Sequence, residues 1–244
     1  MKKFVSFVVL CGMGIFTSTL FAQEAAASGS TLTEMHQVFK EMYILGGVPW
    51  MSPILLLLLL GLAIAIERII YLNLATVNTN KLLKKVEEAF KEGGAEKAKE
   101  ICRNTRGPIA SIFYQAFERY DQGLEAVEKA IVSFGGVQMG NLEKGMVWLQ
   151  FFIAVTPSVG FLGTVVGMVI AFQDIAKAGD ISPTIVATGM QIALITTVFA
   201  LICAMIIQVF YNLILAKISS LTQEMEESSI SIMDMLVKQQ AKKE

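Results

Sequence analysis

Thr164 and Thr197 are the polar side chains best placed to do chemistry in this chain. Each lies deep in an apolar run, with no Asp, Glu, Lys, Arg or His between Val147 and Phe172 or between Ser182 and Ala216. A hydroxyl in such surroundings needs a hydrogen-bond partner or water, because burying it alone is costly. Small residues surround both threonines at helical spacing. Gly160, Gly163, Thr164, Gly167 and Ala171 recur every three or four residues, as do Gly189, Ala193, Thr197, Ala200, Ala204 and Gln208. Each set therefore shares one helix face, and a face of small residues lets another backbone come close. Two readings stay open at this point. The stripes pack one hairpin tightly, or the threonines polarise the wall of an ion path. On the second reading the two helices offer hydroxyls and space for water but no acid, so the acid comes from another polypeptide.

The elements that must position these residues follow from composition. The chain has 244 residues, 54% of them hydrophobic and only 17% charged, against about 25% charged in an average soluble domain. Its apolar residues fall in four blocks separated by polar chain, the pattern of a membrane protein. A net charge of −1 gives no nucleic-acid footprint. Cys11, Cys102 and Cys203 lie in unlike surroundings and suggest neither a disulfide framework nor a metal site. His36 has no second imidazole near it and reads as a surface residue. No nucleophile–base–orienter set, metal-ligand spacing or phosphate-cradling loop occurs, so the reading is neither an enzyme nor a cofactor-binding protein.

Taken in order, residues 1–22 read as a secretory signal peptide. Lys2 and Lys3 precede an apolar centre, and Leu20-Phe21-Ala22 makes a passable cleavage site; an uncleaved first membrane helix is the alternative. Residues 23–47 combine a small-residue linker with a short amphipathic helix over Thr31–Leu45. That helix is suited to a membrane surface or to packing on neighbouring spans. The first span covers 48–70, with Trp50 at one end and Arg68 and Tyr71 at the other as interface anchors. Residues 71–145 are soluble in character and helical. Gly93-Gly94 and Gly135-Gly136 read as breaks, and the last helix of the segment is expected to lead into the next apolar block. About 70 residues are marginal for an independent core, so these helices are expected to pack on extensions of the membrane helices. The second span covers 146–172, a short polar loop 173–183, the third span 184–215, and a tail helix 216–244 continues the third span into water.

Charge sets the orientation. Segments 23–47 and 173–183 each carry a single Lys, while 75–145 carries eleven of the chain's 20 Lys and Arg. The positive-inside rule then puts 75–145 and the tail in the cytoplasm and the amino end outside.

The runs GFLGTVVGMVIAF (160–172) and GMQIALITTVFALICAMIIQVFYN (189–212) resemble the proton-channel subunits ExbB, TolQ and MotA, and ExbB most closely. The resemblance implies an all-α protein of the bacterial inner membrane. Three transmembrane helices, the second and third extending into the cytoplasm, would join a helical cytoplasmic domain in a pore-forming homo-oligomer, a pentamer. Thr164 and Thr197 match the family's two pore threonines, and Pro157 the proline where the second helix bends. Gly160, Gly163, Gly167, Ala193, Ala200 and Gln208 would line the same path. The implied partners are an ExbD-like single-span subunit bearing an essential aspartate and a TonB-like protein that the proton-motive force energises. One position departs from the pattern: Ile192 stands where ExbB-type members place a glutamate. A motor stator of the same family and a membrane scaffold without ion flux are the rival readings.

Overall fold

The structure is a computed structural model that describes Gln37, Lys40 and residues 42–178 and 183–240. The proposed signal peptide and most of the amphipathic segment 31–45 lie outside the described residues. Of that segment Gln37, Lys40 and Met42–Leu45 are helical, and they belong to a unit separate from Gly46–Glu244.

Every regular element described from Gly46 onward is helical: α1 (Val48–Ala75), α2 (Thr79–Asn104), α3 (Pro108–Glu118), a single 3₁₀ turn (Tyr120–Gln122), α4 (Leu124–Glu143), α5 (Met146–Ala178) and α6 (Pro183–Gln240). Three stretches are long and apolar enough to cross a membrane, one each within α1, α5 and α6. α1 starts where its sequence permits a start. Gly47 takes a left-handed φ of 81° and Pro49 occupies the first turn, where no intrahelical donor is needed. Its 28 residues reach about 42 Å, which exceeds a hydrocarbon core of about 30 Å, so the far end stands in water. α6 runs 58 residues without interruption, joining the third apolar block to the polar tail.

The spans have a definite register. Gly160 lies against Ala200, Gly163 against Thr196, Gly167 against Ala193, and Ala171 against Gly189. The residue numbers rise on one helix as they fall on the other, so α5 and α6 are antiparallel, and they pack on each other more extensively than any other pair. α1 runs parallel to α6, with Gly61 against Ile207. The outward faces carry Leu59, Phe161, Phe172 and Leu194, side chains that suit lipid or another subunit.

The soluble helices pack on the polar-end extension of α6. Val86, Phe90, Ala98, Ile112, Phe113, Phe117, Val127 and Ile131 join Ile214, Ile218, Leu221, Met225, Ile232 and Leu236 of α6 in one apolar cluster. Phe90 stacks its edge on Tyr120 at 5.4 Å between ring centroids and tilts against Phe117 at 5.6 Å. Cys102 is buried in this cluster, and burial pushes its thiol up to about 12. Its folded-state value thus lies above the ordinary 9.0 of an exposed thiol. The stabilisation is fully present below that ordinary value and is lost as pH rises toward the folded one, because the unfolded chain gives up its proton first. We expect the melting temperature of the solubilised protein to fall as pH is raised above about 9, and Cys102→Ser to flatten that fall.

The expected breaks need two corrections. Gly94, with φ 71° and ψ −161°, does kink α2. Gly135 and Gly136, expected as a second break, instead lie within α4. Val127, Ile131 and Leu142 bury one side of that helix, and this packing outweighs the roughly 1 kcal/mol by which each glycine disfavours a helix. α4 also does not lead smoothly into α5. The break falls at Gly145, whose φ of 87° only glycine adopts easily. A Cβ there would stand 3.1 Å from Arg68 Nε. Gly145→Ala is expected to destabilise the protein by about 1–2 kcal/mol through left-handed strain, read as a lower midpoint in thermal unfolding.

Candidate functional site

α5 and α6 approach closely because their facing residues have almost no side chain. A Cβ on Gly160 would overlap the Ala200 methyl, and one on Gly163 would stand 2.8 Å from Thr196 Cγ2. Ala193 and Ala200 are 1% and 0% exposed. Gly160, Gly163, Gly167, Ala193 and Ala200 therefore pack the two helices against each other.

The two threonines meet within this close-packed seam, between the Gly160–Ala200 and Gly167–Ala193 contacts. Their hydroxyls hydrogen-bond each other across the interface. Thr164 Oγ1 also lies 3.1 Å from the Gly160 carbonyl and 3.3 Å from the Ala193 carbonyl. Thr197 Oγ1 shares the Gly160 carbonyl at 3.3 Å. Each hydroxyl has one proton to donate, yet the pair faces two carbonyls and each other. The donated bonds can be exchanged among these acceptors with small rotations and no helix movement. Both side chains are half-buried, so the cluster keeps an open side. Such a group can receive a proton's hydrogen bond on one side and offer one on the other, but it cannot store a charge.

Thr196, one residue earlier, was missed in the sequence reading. It is 1% exposed and lies 100° around the helix from Thr197. Its hydroxyl donates to Ile192 O at 2.8 Å and to Gly46 O at 3.3 Å. It ties the start of the first span to α6 at the level of the hydroxyl pair. The Thr196-Thr197 doublet was a visible signal, but which of its members faces α5's hydroxyl depends on the register. Thr156 is fully buried and donates back to Phe152 O at 2.6 Å.

Pro157 sits inside the unbroken α5, where it leaves the Ile153 carbonyl without its helical donor. Gln208 is not brought to the hydroxyl pair. It lies eleven residues beyond Thr197, about 16 Å along the helix, with its amide on Asn212 Oδ1 at 3.2 Å. Ile192 faces a cleft at the opposite end of the hairpin. Among the described residues no group of three or more His, Cys, Asp or Glu could hold a metal.

A long antiparallel hairpin with paired hydroxyls and no charge in its apolar stretches, buttressed by a third span, defines a multi-pass helical membrane protein with a polar seam. The chain belongs to the MotA/TolQ/ExbB proton channel family, whose profile matches residues 104–227, just over half the chain. It is a family of channels, without enzymatic activity. An ExbB homolog of Methanothermobacter thermautotrophicus, described as a biopolymer transport protein, is 30% identical over 167 residues, covering 68% of this chain and 59% of that one. An ExbB-like biopolymer transport protein of Synechocystis is 29% identical over 206 residues, covering 82% of this chain and 78% of that one. The biopolymer transport protein ExbB of Helicobacter pylori is 30% identical over 84 residues, covering 34% and 58%. The chain thus matches less than two thirds of the first relative's length.

Proposed function

We propose that this chain is the ExbB-like subunit of a bacterial inner-membrane assembly that uses proton-motive force to energise a TonB-like protein for outer-membrane transport. The observation that carries this reading is the Thr164–Thr197 hydroxyl pair, set in a helix hairpin with no Asp, Glu, Lys, Arg or His in its apolar stretches. A hydroxyl pair can pass a proton's hydrogen bond but cannot be the acid. The acid is therefore the aspartate of an ExbD-like single-span partner, received in a pore that a homopentamer of this chain encloses. Thr164 and Thr197 face that aspartate. Gly160, Gly163, Gly167, Ala193 and Ala200 hold the wall helices close, Pro157 sets the bend of the second helix, and Gln208 lies toward the cytoplasmic end.

In this assembly the domain limits are those of the sequence: a signal peptide over 1–22, spans at 48–70, 146–172 and 184–215, and cytoplasmic segments at 71–145 and 216–244. The amino terminus is periplasmic. A proton crossing the membrane potential releases about 2.3 kcal/mol per 100 mV, enough to bias a packed two-state element.

The test is proton flux into liposomes carrying the purified chain with and without an acidic single-span partner, under an imposed potential. Flux that requires the partner and its aspartate supports the reading. Flux from this chain alone overturns the assignment of the acid to the partner, and no flux in either case favours the scaffold. Capture of a peptidoglycan-anchored subunit in place of a TonB-like one would favour the stator.

A further inference from the structure

The two helices of the hairpin reach the soluble helices in different ways. α6 runs through in one piece of 58 residues. α5 does not. α4 ends at Glu143, Lys144 takes an extended ψ of 131°, Gly145 takes a left-handed φ of 87°, and α5 starts at Met146. Lys144-Gly145 is therefore a joint between α4 and α5. α5 can turn about this joint while α6 stays one rod, and such a turn shifts Thr164 against Thr197.

Arg68 of α1 lies on that joint. Its Nε stands 3.1 Å, and its Cζ 3.6 Å, from where a Cβ on Gly145 would be. Among the described residues it is the only charged side chain that is buried. Ala65 and Leu72 on either side of it along α1, and Leu142, Met146 and Leu149 on either side of the joint, belong to one apolar cluster. Its ion partner Glu67, at 3.2 Å, and the Tyr71 ring, 5.3 Å away, sit on its own helix. α4 has no basic residue in its last turn, where the carbonyls lack helical donors. Arg68 supplies a cation at that end from another helix. Stability does not call for this charge. Glu67 is 59% exposed and stays hydrated when Arg68 is removed, and a well-packed apolar side chain in place of a buried charge is often neutral or stabilising. A charge kept where an apolar residue would serve is there to set a geometry.

We propose that Arg68 is a positioning residue for proton passage. It pins the α4–α5 joint, fixes the angle at which α5 leaves the soluble helices, and so holds Thr164 opposite Thr197. It acts through the hydroxyl pair and handles no proton itself. This rests on the reading of the chain as a proton-channel subunit and adds to it the element that sets the register of the hydroxyls.

The experiment uses the same liposomes, holding the complex of the full chain with its acidic partner. Arg68→Met keeps the length of the side chain and removes the charge, while Arg68→Lys keeps the charge without the planar fork. Flux, melting temperature and hydrogen exchange are measured on each. The exchange is followed at the Trp148 and Leu149 amides, which donate to the Gly145 carbonyl at 3.2 and 3.3 Å. Arg68→Met is expected to melt at or above the wild-type temperature and to exchange those two amides about tenfold faster as the joint opens. Its flux should fall about ten- to a hundredfold, the scale that a misplacement of about 1 Å produces. Arg68→Lys should recover part of both losses. Arg68→Met flux equal to wild type overturns the proposal, whatever the exchange shows, and leaves the channel reading standing. Lost flux with wild-type exchange overturns it too, as does lost flux with a lowered melting temperature that Arg68→Lys does not relieve, which is a defect of folding. A wild-type complex without flux, or flux indifferent to the partner, overturns the channel reading and this proposal with it.

Discussion

Thr197→Val is expected to cut partner-dependent proton flux by about ten- to a hundredfold while leaving the hairpin folded. The two effects separate because of how the hydroxyls are shared. Valine keeps the shape of threonine and removes one donor and acceptor. Thr164 then loses its bond to Thr197 but keeps the Gly160 carbonyl at 3.1 Å and the Ala193 carbonyl at 3.3 Å. No buried hydroxyl is orphaned, so the cost to stability is about 0.6 kcal/mol, the average for an interhelical hydrogen bond in a membrane. The same holds for Thr164→Val, after which Thr197 retains the Gly160 carbonyl at 3.3 Å. Either change removes the bond between the two hydroxyls, the link that a proton path through both of them requires. Loss of one hydroxyl would also leave a partner carboxylate with one donor fewer, which favours its neutral form and holds the proton in place. Flux under an imposed potential and thermal melting of the same preparations check the two halves. If both variants carry wild-type flux, the hydroxyl pair is packing and no more. Thr196→Val serves as the contrast. Its hydroxyl ties α6 to the Gly46 carbonyl rather than to α5, so stability should fall more than flux.

Much of this architecture was legible in the sequence, and the reasons are physical. A charge-free apolar run long enough to span hydrocarbon has few alternatives. The sequence spans begin at 48, 146 and 184, and the helices begin at Val48, Met146 and Pro183. Thr164 and Thr197 stood out because polarity is rare and expensive in such runs. Periodicity placed the small residues on one face of each helix. It left open what that face meets, since a hairpin partner and a pore use the same small residues. That question depends on register, which arises between helices and leaves no mark on either one alone. Thr196 shows the same limit, because a neighbour of Thr197 at 100° can face α1 or α5 depending on how the third helix docks. Arg68 shows another. It was read as an anchor at the water boundary, yet it is 8% exposed, lying against Gly145, with Tyr71 beneath its guanidinium at 5.3 Å and Glu67 at 3.2 Å. A long side chain can pack its stem while its head keeps polar company, and charge alone does not reveal that.

Gly160→Leu should disrupt the hairpin most severely. Ala200 already occupies the space that a Cβ at this position would need, and behind it lie the Thr196 carbonyl and Thr197 Cα, both at 3.4 Å. Backbone cannot rotate aside as the end of a long side chain can, so the two helices must separate. Overpacking of this kind costs about 1–3 kcal/mol and occasionally more. Separation would also draw Thr197 away from Thr164, so flux should fall along with the melting temperature, unlike the valine variants. Gly160→Ala makes the same clash in its mildest form, and Ala200→Gly should rescue it by vacating the facing methyl. Residues in direct contact couple by about 0.5–3 kcal/mol in such a double-mutant cycle. Gly135→Ala and Gly140→Ala supply the control. Both lie in α4 with nothing within 4 Å of a new Cβ, so each should be neutral or add up to about 1 kcal/mol through helix propensity. If Gly160→Ala melts like those controls, or if Ala200→Gly fails to restore it, the 160–200 contact is wrong. The placement of Thr164 against Thr197, which depends on the same register, would then fall with it.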